Sequence, residues 1–319
     1  MPGEDTKSFW EMSLNFRRVS TLLLMAVTTV LILYSTTRFH AHKPWKRKEL
    51  NTSKVPEGIK NLTIVSQNIW LLTIPFFDTS HAVKERLDTF ADAVASCDLV
   101  LIQEIFVFKM GPFEKRGNYL LLERLMLERG FAYQASSEQT IPKYLGQNSG
   151  LVIYSKYPIV RSKSYFYKDR SLHEKINNKG YIIAELANNG HPIYVATTHL
   201  DAADRKIRRA QLQELIQQLQ SEIKLQSVTP LVILAGDLNI LGNNEEFDDV
   251  KKMMQTMKLQ EIFTEHKATY NDGTALDHMF LSREFLVRRK ETRMFVSQND
   301  EPVSDHHALW VNIILNDEK

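Results

Sequence analysis

Apolar residues in this chain follow two rhythms. From residue 62 onward, short runs rich in Val, Ile and Leu recur at 62–66 (LTIVS), 98–104 (DLVLIQE), 150–155 (GLVIYS), 181–186 (YIIAEL), 192–200 (PIYVATTHL) and 230–239 (PLVILAGDLN). Two more lie at 276–282 (LDHMFLS) and 307–315 (HALWVNIIL). Runs of this length that stay apolar at consecutive positions predict strands buried on both faces. Between them the spacing turns helical. Val83, Leu87, Phe90 and Val94 fall on one helix face, and so do Leu212, Leu215, Leu219 and Ile223, with Arg and Gln opposite. A third helix is predicted around 120–128, closed by Gly130 as its C-terminal cap. Strands interleaved with helices imply a layered α/β domain.

One apolar stretch is of another kind. Residues 19–37 (VSTLLLMAVTTVLILYSTT) carry no charge, and as a helix they would reach roughly 28 Å, close to the hydrocarbon thickness of a bilayer. Arg17 and Arg18 bracket one end; Arg38, Lys43, Lys46, Arg47 and Lys48 bracket the other, with Trp10 and Trp45 further out. No small-residue cleavage site follows the run, as a signal peptide would require, and a buried core helix has no need of bases at both ends. The expected organisation is an N-terminal tail (1–18), a single-pass transmembrane anchor (19–37), a basic juxtamembrane linker (38–60) and the α/β domain (61–319). The larger number of bases after the span places that domain in the cytosol. The sequons at Asn51 and Asn61 point the other way. The run KPWKRK is suited to anionic lipid headgroups.

Charge sharpens this division. The chain has 319 residues and a formal net charge of +2, but residues 1–60 carry +5 and the remainder −3. A domain built to grip a nucleic acid usually has a basic surplus, so no nucleic-acid partner is favoured. The lone cysteine, Cys97, excludes an intrachain disulfide and a Cys-rich zinc module. No obligate protein partner is implied.

The polar residues at the strand ends carry the chemistry. Asn68 follows the first run, Glu104 ends the second, and His199 ends YVATTH. Asp237 and Asn239 close LVILAGDLN, Asp277 opens LDHMFLS, and Asp305 and His306 precede the last run. Each alone is commonly a turn residue or a helix cap. Together, at the ends of neighbouring strands, they predict one convergent site. Carboxylates, amides and two histidines suit a hard cation, Mg²⁺ first and Mn²⁺ as an alternative. His278 and His307, beside these residues, read as structural, and His173, His191 and His266 as surface residues.

The series N-I-W, L-I-Q-E, N-S-G-L-V-I-Y-S-K-Y-P-I, T-T-H-L-D-A, G-D-L-N, L-D-H-M-F and S-D-H-H-A-L resembles the exonuclease/endonuclease/phosphatase superfamily of DNase I-like enzymes, over about residues 62–315. The resemblance implies an α/β fold, a two-sheet α/β sandwich with the active site at one edge, preceded here by the transmembrane helix. Asn178-Lys179-Gly180, the stretches at 198–202 (THLDA) and 208–212 (RRAQL), and 155–159 (SKYPI) resemble sphingomyelinases in particular. Bacterial members carry a membrane-dipping aromatic hairpin; nothing similar is visible between Asp277 and Asp305, and the N-terminal anchor is expected to replace it.

The roles implied by the resemblance are these. Glu104 is the leading metal ligand, since a lone carboxylate ending a buried strand is costly to leave unpaired; Asn68 supports it or binds a phosphate oxygen, and Asp305 ligates metal or fixes its loop. His306 is the general base with Asp277 orienting its ring, and Asp237 is the rival base. His199 and Asn239 donate to the developing charge. Lys179 meets phosphate or caps a turn. The function expected is a membrane-anchored, Mg²⁺-dependent phosphodiesterase that acts on a phospholipid in a membrane, hydrolysing sphingomyelin to ceramide and phosphocholine. The alternatives are a nuclease or phosphoinositide phosphatase of the same superfamily, or a catalytically dead membrane-tethered binding module.

Overall fold

The computed structural model describes residues 58–71, 73–74, 77–78, 82–110, 113–137, 145–171, 174, 178–188, 192–223 and 230–315. The expected tail and anchor, most of the basic linker, His173 and His191 lie outside the described residues. No helix among the described residues is long and apolar enough to cross a membrane.

Twelve strands build two main sheets: β1 (Asn61–Leu71), β2 (Leu99–Ile105), β3 (Tyr133–Ser136), β4 (Val152–Ser155), β5 (Ile159–Phe166), β6 (Gly180–Leu186), β7 (Ile193–His199), β8 (Leu231–Asp237), β9 (Leu259–Glu261), β10 (Asp277–Ser282), β11 (Phe285–Arg293) and β12 (Ala308–Leu315). The first sheet has the order β11-β12-β1-β2-β4-β3 and the second β5-β6-β7-β8-β10-β9. In each sheet one central pair is parallel, β1 with β2 and β7 with β8, and the other pairs are antiparallel. Among the described residues four helices pack around them: α1 (Val83–Ala93), α2 (Gly117–Glu128), α3 (Arg205–Ile223) and α4 (Glu245–Gln255).

Side-chain alternation along the strands sorts the core into three layers. Leu62, Ile64, Leu99, Leu101, Val195, Ile233 and Ile313 meet between the sheets. Their neighbours Val65, Val100 and Ile102 turn outward onto Leu87, Phe90, Leu122 and Met126 of α1 and α2. On the opposite side Tyr194, Ala196, Val232 and Leu234 meet Leu212, Leu215, Leu219 and Phe247 of α3 and α4. Both faces of the central strands are therefore dry, as the unbroken apolar runs require. The result is a two-sheet α/β sandwich, and all eight sequence-predicted strands are present.

Four strands of the two main sheets escaped the sequence reading. β5 and β11 lie at sheet edges and carry Arg161, Lys163, Arg288, Arg289 and Lys290; charged edges discourage pairing with other chains but erase the hydrophobic signal. β3 and β9 have only 4 and 3 residues. The unpredicted helix α4 is capped by Asn244, whose side chain accepts from the Phe247 N–H at 2.9 Å.

The edge strand β5 is fastened to α3 through Glu222. Its carboxylate accepts from Lys163 Nζ at 2.9 Å and Tyr165 Oη at 3.1 Å, and pairs with Arg161. Burial opposes the charge, but Lys163, Tyr165 and Arg161 outweigh it and hold Glu222 below the usual carboxylate range. A depressed folded pKa contributes stability above the unfolded value, about 4.3, and loses it as pH falls through the folded one. Thermal melts from about pH 7 to pH 3 should show Glu222→Gln less stable than wild type near neutrality, with the gap closing below about pH 4. A constant gap would contradict this account.

Candidate active site

Hydrogen-bond register aligns the functional side chains. Gly180 pairs with His199, His199 with Asp237, and Asp237 with Asp277, so four adjacent strands of the second sheet place these residues in one row. The first sheet faces that row with Asn68 and Glu104, near the C-terminal ends of β1 and β2, and with Asp305 and His306, just before β12. Glu104, Asn239 and Trp70 have φ of 64°, 52° and 49°. Left-handed backbone at non-glycine residues costs on the order of 1–3 kcal/mol each and is retained mostly where side-chain direction matters.

Asp237 is the hub. Its Oδ2 accepts from Asn68 Nδ2 at 3.1 Å and lies 3.4 Å from His199 Nε2 and 3.8 Å from His306 Nε2. Its Oδ1 accepts from the Asn239 N–H at 2.9 Å. His306 Nδ1 and Asp277 Oδ2 are 2.8 Å apart, and the Tyr270 ring lies beside the imidazole. Burial alone would depress His306, but Asp277, then Asp237 and Asp305, push it up to about 10. His199 goes the other way: burial and then the Lys179 cation lower it to about 3. Lys179 Nζ sits 2.6 Å from His199 Nε2. A neutral ring accepting there carries its proton on Nδ1, which has no hydrogen bond among the described residues and lies 3.9 Å from Glu104 Oε1.

The sequence-predicted residues thus come together, with differences in detail. Lys179 is 4 % exposed and touches His199 rather than capping a turn. Asn68 donates to Asp237, and its Oδ1 is engaged by the Trp70 N–H at 3.0 Å, an arrangement of support more than of ligation. Asn239 donates one amide hydrogen to the Leu200 carbonyl at 3.0 Å, leaving one N–H for a substrate. Within the site Asp237, Asp277 and His306 bring ligating atoms within 4.8 Å of one another, whereas the expected ligand set was Glu104, Asn68 and Asp305.

The site fits a divalent cation. Burial, and secondarily Asp237, raise Glu104 despite Lys179 and Asn68, and burial raises Asp305. Asp277 Oδ1 is buried without a hydrogen bond among the described residues. Several carboxylates raised or orphaned at one locus call for positive charge, and an oxygen-rich set selects a hard ion.

Sequence reasoning missed the braces. Gln67 Nε2 donates to the His306 carbonyl at 2.9 Å, and Ser304 Oγ to the Asn68 carbonyl at 2.7 Å. Gln103 Nε2 bridges the sheets to Thr197 Oγ1 at 3.0 Å, and Thr269 Oγ1 accepts from the Asp277 N–H at 3.1 Å. Asp201, Arg208 and Gln211, singled out as branch markers, are scaffold. Asp201 Oδ1 caps the N–H groups of Ala203 and Asp204. Arg208 clamps Glu246 with two 2.8 Å bonds. Gln211 links the Asp201 N–H to the Asp169 carbonyl. Between β11 and Asp305 the chain makes a tight turn, Ser297 N–H to the Glu301 carbonyl at 2.8 Å, whose tip, Gln298-Asn299-Asp300, is polar.

Residues 65–306 match the Endonuclease/Exonuclease/phosphatase family, and the chain belongs to that family, a superfamily of hydrolases. Sphingomyelinases are among the proteins it resembles. Sphingomyelinase C of Listeria ivanovii is 23 % identical over 224 residues, covering 65 % of this chain and 64 % of that protein, just under two thirds of its length. Phospholipase C of Staphylococcus aureus is 22 % identical over 290 residues, covering 81 % and 84 %. Among solved structures, a mutant beta toxin from Staphylococcus aureus with bound magnesium ions superposes with a TM-score of 0.63 at 19 % identity, over 79 % of this chain and 99 % of the toxin. That likeness concerns the fold.

Proposed function

We propose that this protein is a membrane-anchored, Mg²⁺-dependent phosphodiesterase that hydrolyses sphingomyelin to ceramide and phosphocholine. The observation carrying the proposal is the convergence of Glu104, Asp237, Asp277, His199, His306 and Lys179 at one end of the sandwich. Glu104 and Asp305, supported by Asn68, would hold Mg²⁺, which when bound supplies charge neutralisation at the phosphate and stabilisation of the departing oxygen. His306, oriented by Asp277 and able to give up its own proton once the charge of a bound cation offsets the carboxylates that hold it, takes the proton of the attacking water as the water oxygen bonds to phosphorus and the phosphorus–oxygen bond to ceramide breaks; the ceramide oxygen leaves with a proton from solvent. Asp237 remains the rival base. His199 Nδ1–H, the Lys179 ammonium and the remaining Asn239 N–H serve the phosphate oxygens as negative charge grows.

The −3 charge of residues 61–319 supports a lipid over a nucleic-acid substrate. Sphingomyelin vesicles, phosphoinositide vesicles and plasmid DNA, each with Mg²⁺ or with EDTA, separate the readings. Phosphocholine release that EDTA abolishes and Mg²⁺ restores is expected. Cleavage of DNA or phosphoinositide without phosphocholine release would replace the substrate, and no product from any of the three would favour a binding module. The single-pass anchor at 19–37 with a cytosolic domain is part of the proposal; protease protection in sealed vesicles tests it.

A further inference from the structure

A second constellation lies away from this row. Glu261 ends β9, His266 follows in the next loop, and His278 is the second residue of β10. Side chains alternate along a strand, so His278 and its neighbour Asp277 project to opposite faces of the sheet. Glu261 Oε1 is 3.3 Å from His266 Nδ1 and 3.8 Å from His278 Nδ1. The Glu261 side chain is 7 % exposed, and Glu261 Oε1 and His266 Nδ1 are both buried without a hydrogen-bond partner. On the far side of its ring, His278 Nε2 is 2.8 Å from the Ile240 carbonyl. Nε2 donates there, and Nδ1, on the other side of the ring, faces the Glu261 carboxylate.

We propose that Glu261, His266 and His278 form a structural site for a divalent cation of the Zn²⁺ type, separate from the Mg²⁺ site. Ligand atoms around a tetrahedral Zn²⁺ with bonds of about 2.0–2.1 Å stand about 3.3–3.4 Å apart; one separation from Glu261 Oε1 is at that spacing, the other is 3.8 Å, and all three ligand atoms lie within 4.8 Å of one another. Two imidazoles and one carboxylate are a borderline-soft set that favours Zn²⁺ over Mg²⁺. The Ile240 carbonyl supplies the outer hydrogen bond that fixes the tautomer of a metal-bound histidine. Phe247 walls the site, stacked on His278 at 4.2 Å and edge-on to His266 at 5.3 Å between ring centroids. Gly242 makes room for it: a Cβ there would lie 2.3 Å from His266 Nδ1. His266, read from sequence as a surface residue, is half-buried, at 21 % side-chain exposure. A metal here would tie the short edge strand β9 to β10, the strand that begins with Asp277.

The test uses the full-length chain, stripped with chelator and returned to excess Mg²⁺ so that the hard site is filled. One equivalent of Zn²⁺ should be retained through desalting, and Co²⁺ in its place should give the visible bands of a tetrahedral nitrogen–oxygen site. Glu261→Gln and His266→Gln should each weaken Zn²⁺ binding by about 10–100-fold or more and remove the Zn²⁺-dependent rise in melting temperature. Glu104→Gln should keep both. Wild type that retains no Zn²⁺, or Zn²⁺ lost in Glu104→Gln but kept in Glu261→Gln, overturns the proposal; the first result does not depend on any variant folding.

Discussion

Replacing His306 by alanine is expected to lower kcat for phosphocholine release by about 10²–10⁴-fold, the usual contribution of a positioned proton-transfer group, with KM changed little. The imidazole sits at the centre of the site, 2.8 Å from Asp277 on one nitrogen and 3.8 Å from Asp237 on the other. Asp237→Asn gives the necessary contrast. If Asp237 were the base, its amide variant would lose the acid limb of the pH–rate profile and His306→Ala would keep it. Asp277→Asn adds a signed check. Burial lowers the His306 pKa, and Asp277 is the foremost group raising it towards about 10. Without that charge the pKa falls, so the acid limb of kcat/KM should move to lower pH while the plateau drops with the loss of orientation. Steady-state rates across pH at saturating Mg²⁺ would measure both. Unchanged hydrolysis in His306→Ala would end the assignment of this residue.

Gly236→Ala should be among the most damaging small substitutions in the described part of the domain. Gly236 lies beside Thr198 in the parallel pairing of β7 and β8, and a Cβ would sit 2.0 Å from the Thr198 carbonyl oxygen. That oxygen is backbone within a sheet ladder, so the strands themselves must part. Overpacking of this kind costs about 1–3 kcal/mol or more. The next residues along the two strands are His199 and Asp237, so a displacement near 1 Å there would cost on the order of 10²-fold in rate as well. Gly117→Ala, at the start of α2 with nothing within 4 Å of the added carbon, should leave both properties nearly unchanged. Melting temperature and kcat measured together decide the matter; a Gly236→Ala protein as stable and active as Gly117→Ala would refute the packing argument.

What could be read from the sequence was what burial writes into it. Central strands such as β7 and β8 are dry on both faces, so their apolar runs ended visibly in His199 and Asp237, and the convergence of strand-end polar residues followed from the fold class. Edge strands carry no such imprint: β11 alternates nothing and is rich in Arg and Lys because its outer rim faces water. Within the site, residue types could nominate Lys179 and Asn68, but only three-dimensional register shows that one contacts His199 and the other donates to Asp237. The Glu261–His266–His278 cluster was invisible for a related reason. Its members come from a three-residue strand, a loop and the face of β10 opposite Asp277, with no shared spacing to betray them.

The division of the site between the two sheets has a consequence of its own. Asn68, Glu104 and His306 are held by one half of the sandwich, and His199, Asp237 and Asp277 by the other, kept aligned by the apolar side chains packed between the halves and by a few polar bridges such as Gln103–Thr197 and His306–Asp277. Competence therefore exists only while those halves are clasped together. During gentle heating or denaturant titration, turnover should vanish at the first loosening of that seam, in step with aromatic near-ultraviolet signals and ahead of backbone helicity, which makes catalysis itself a gauge of the intact interior.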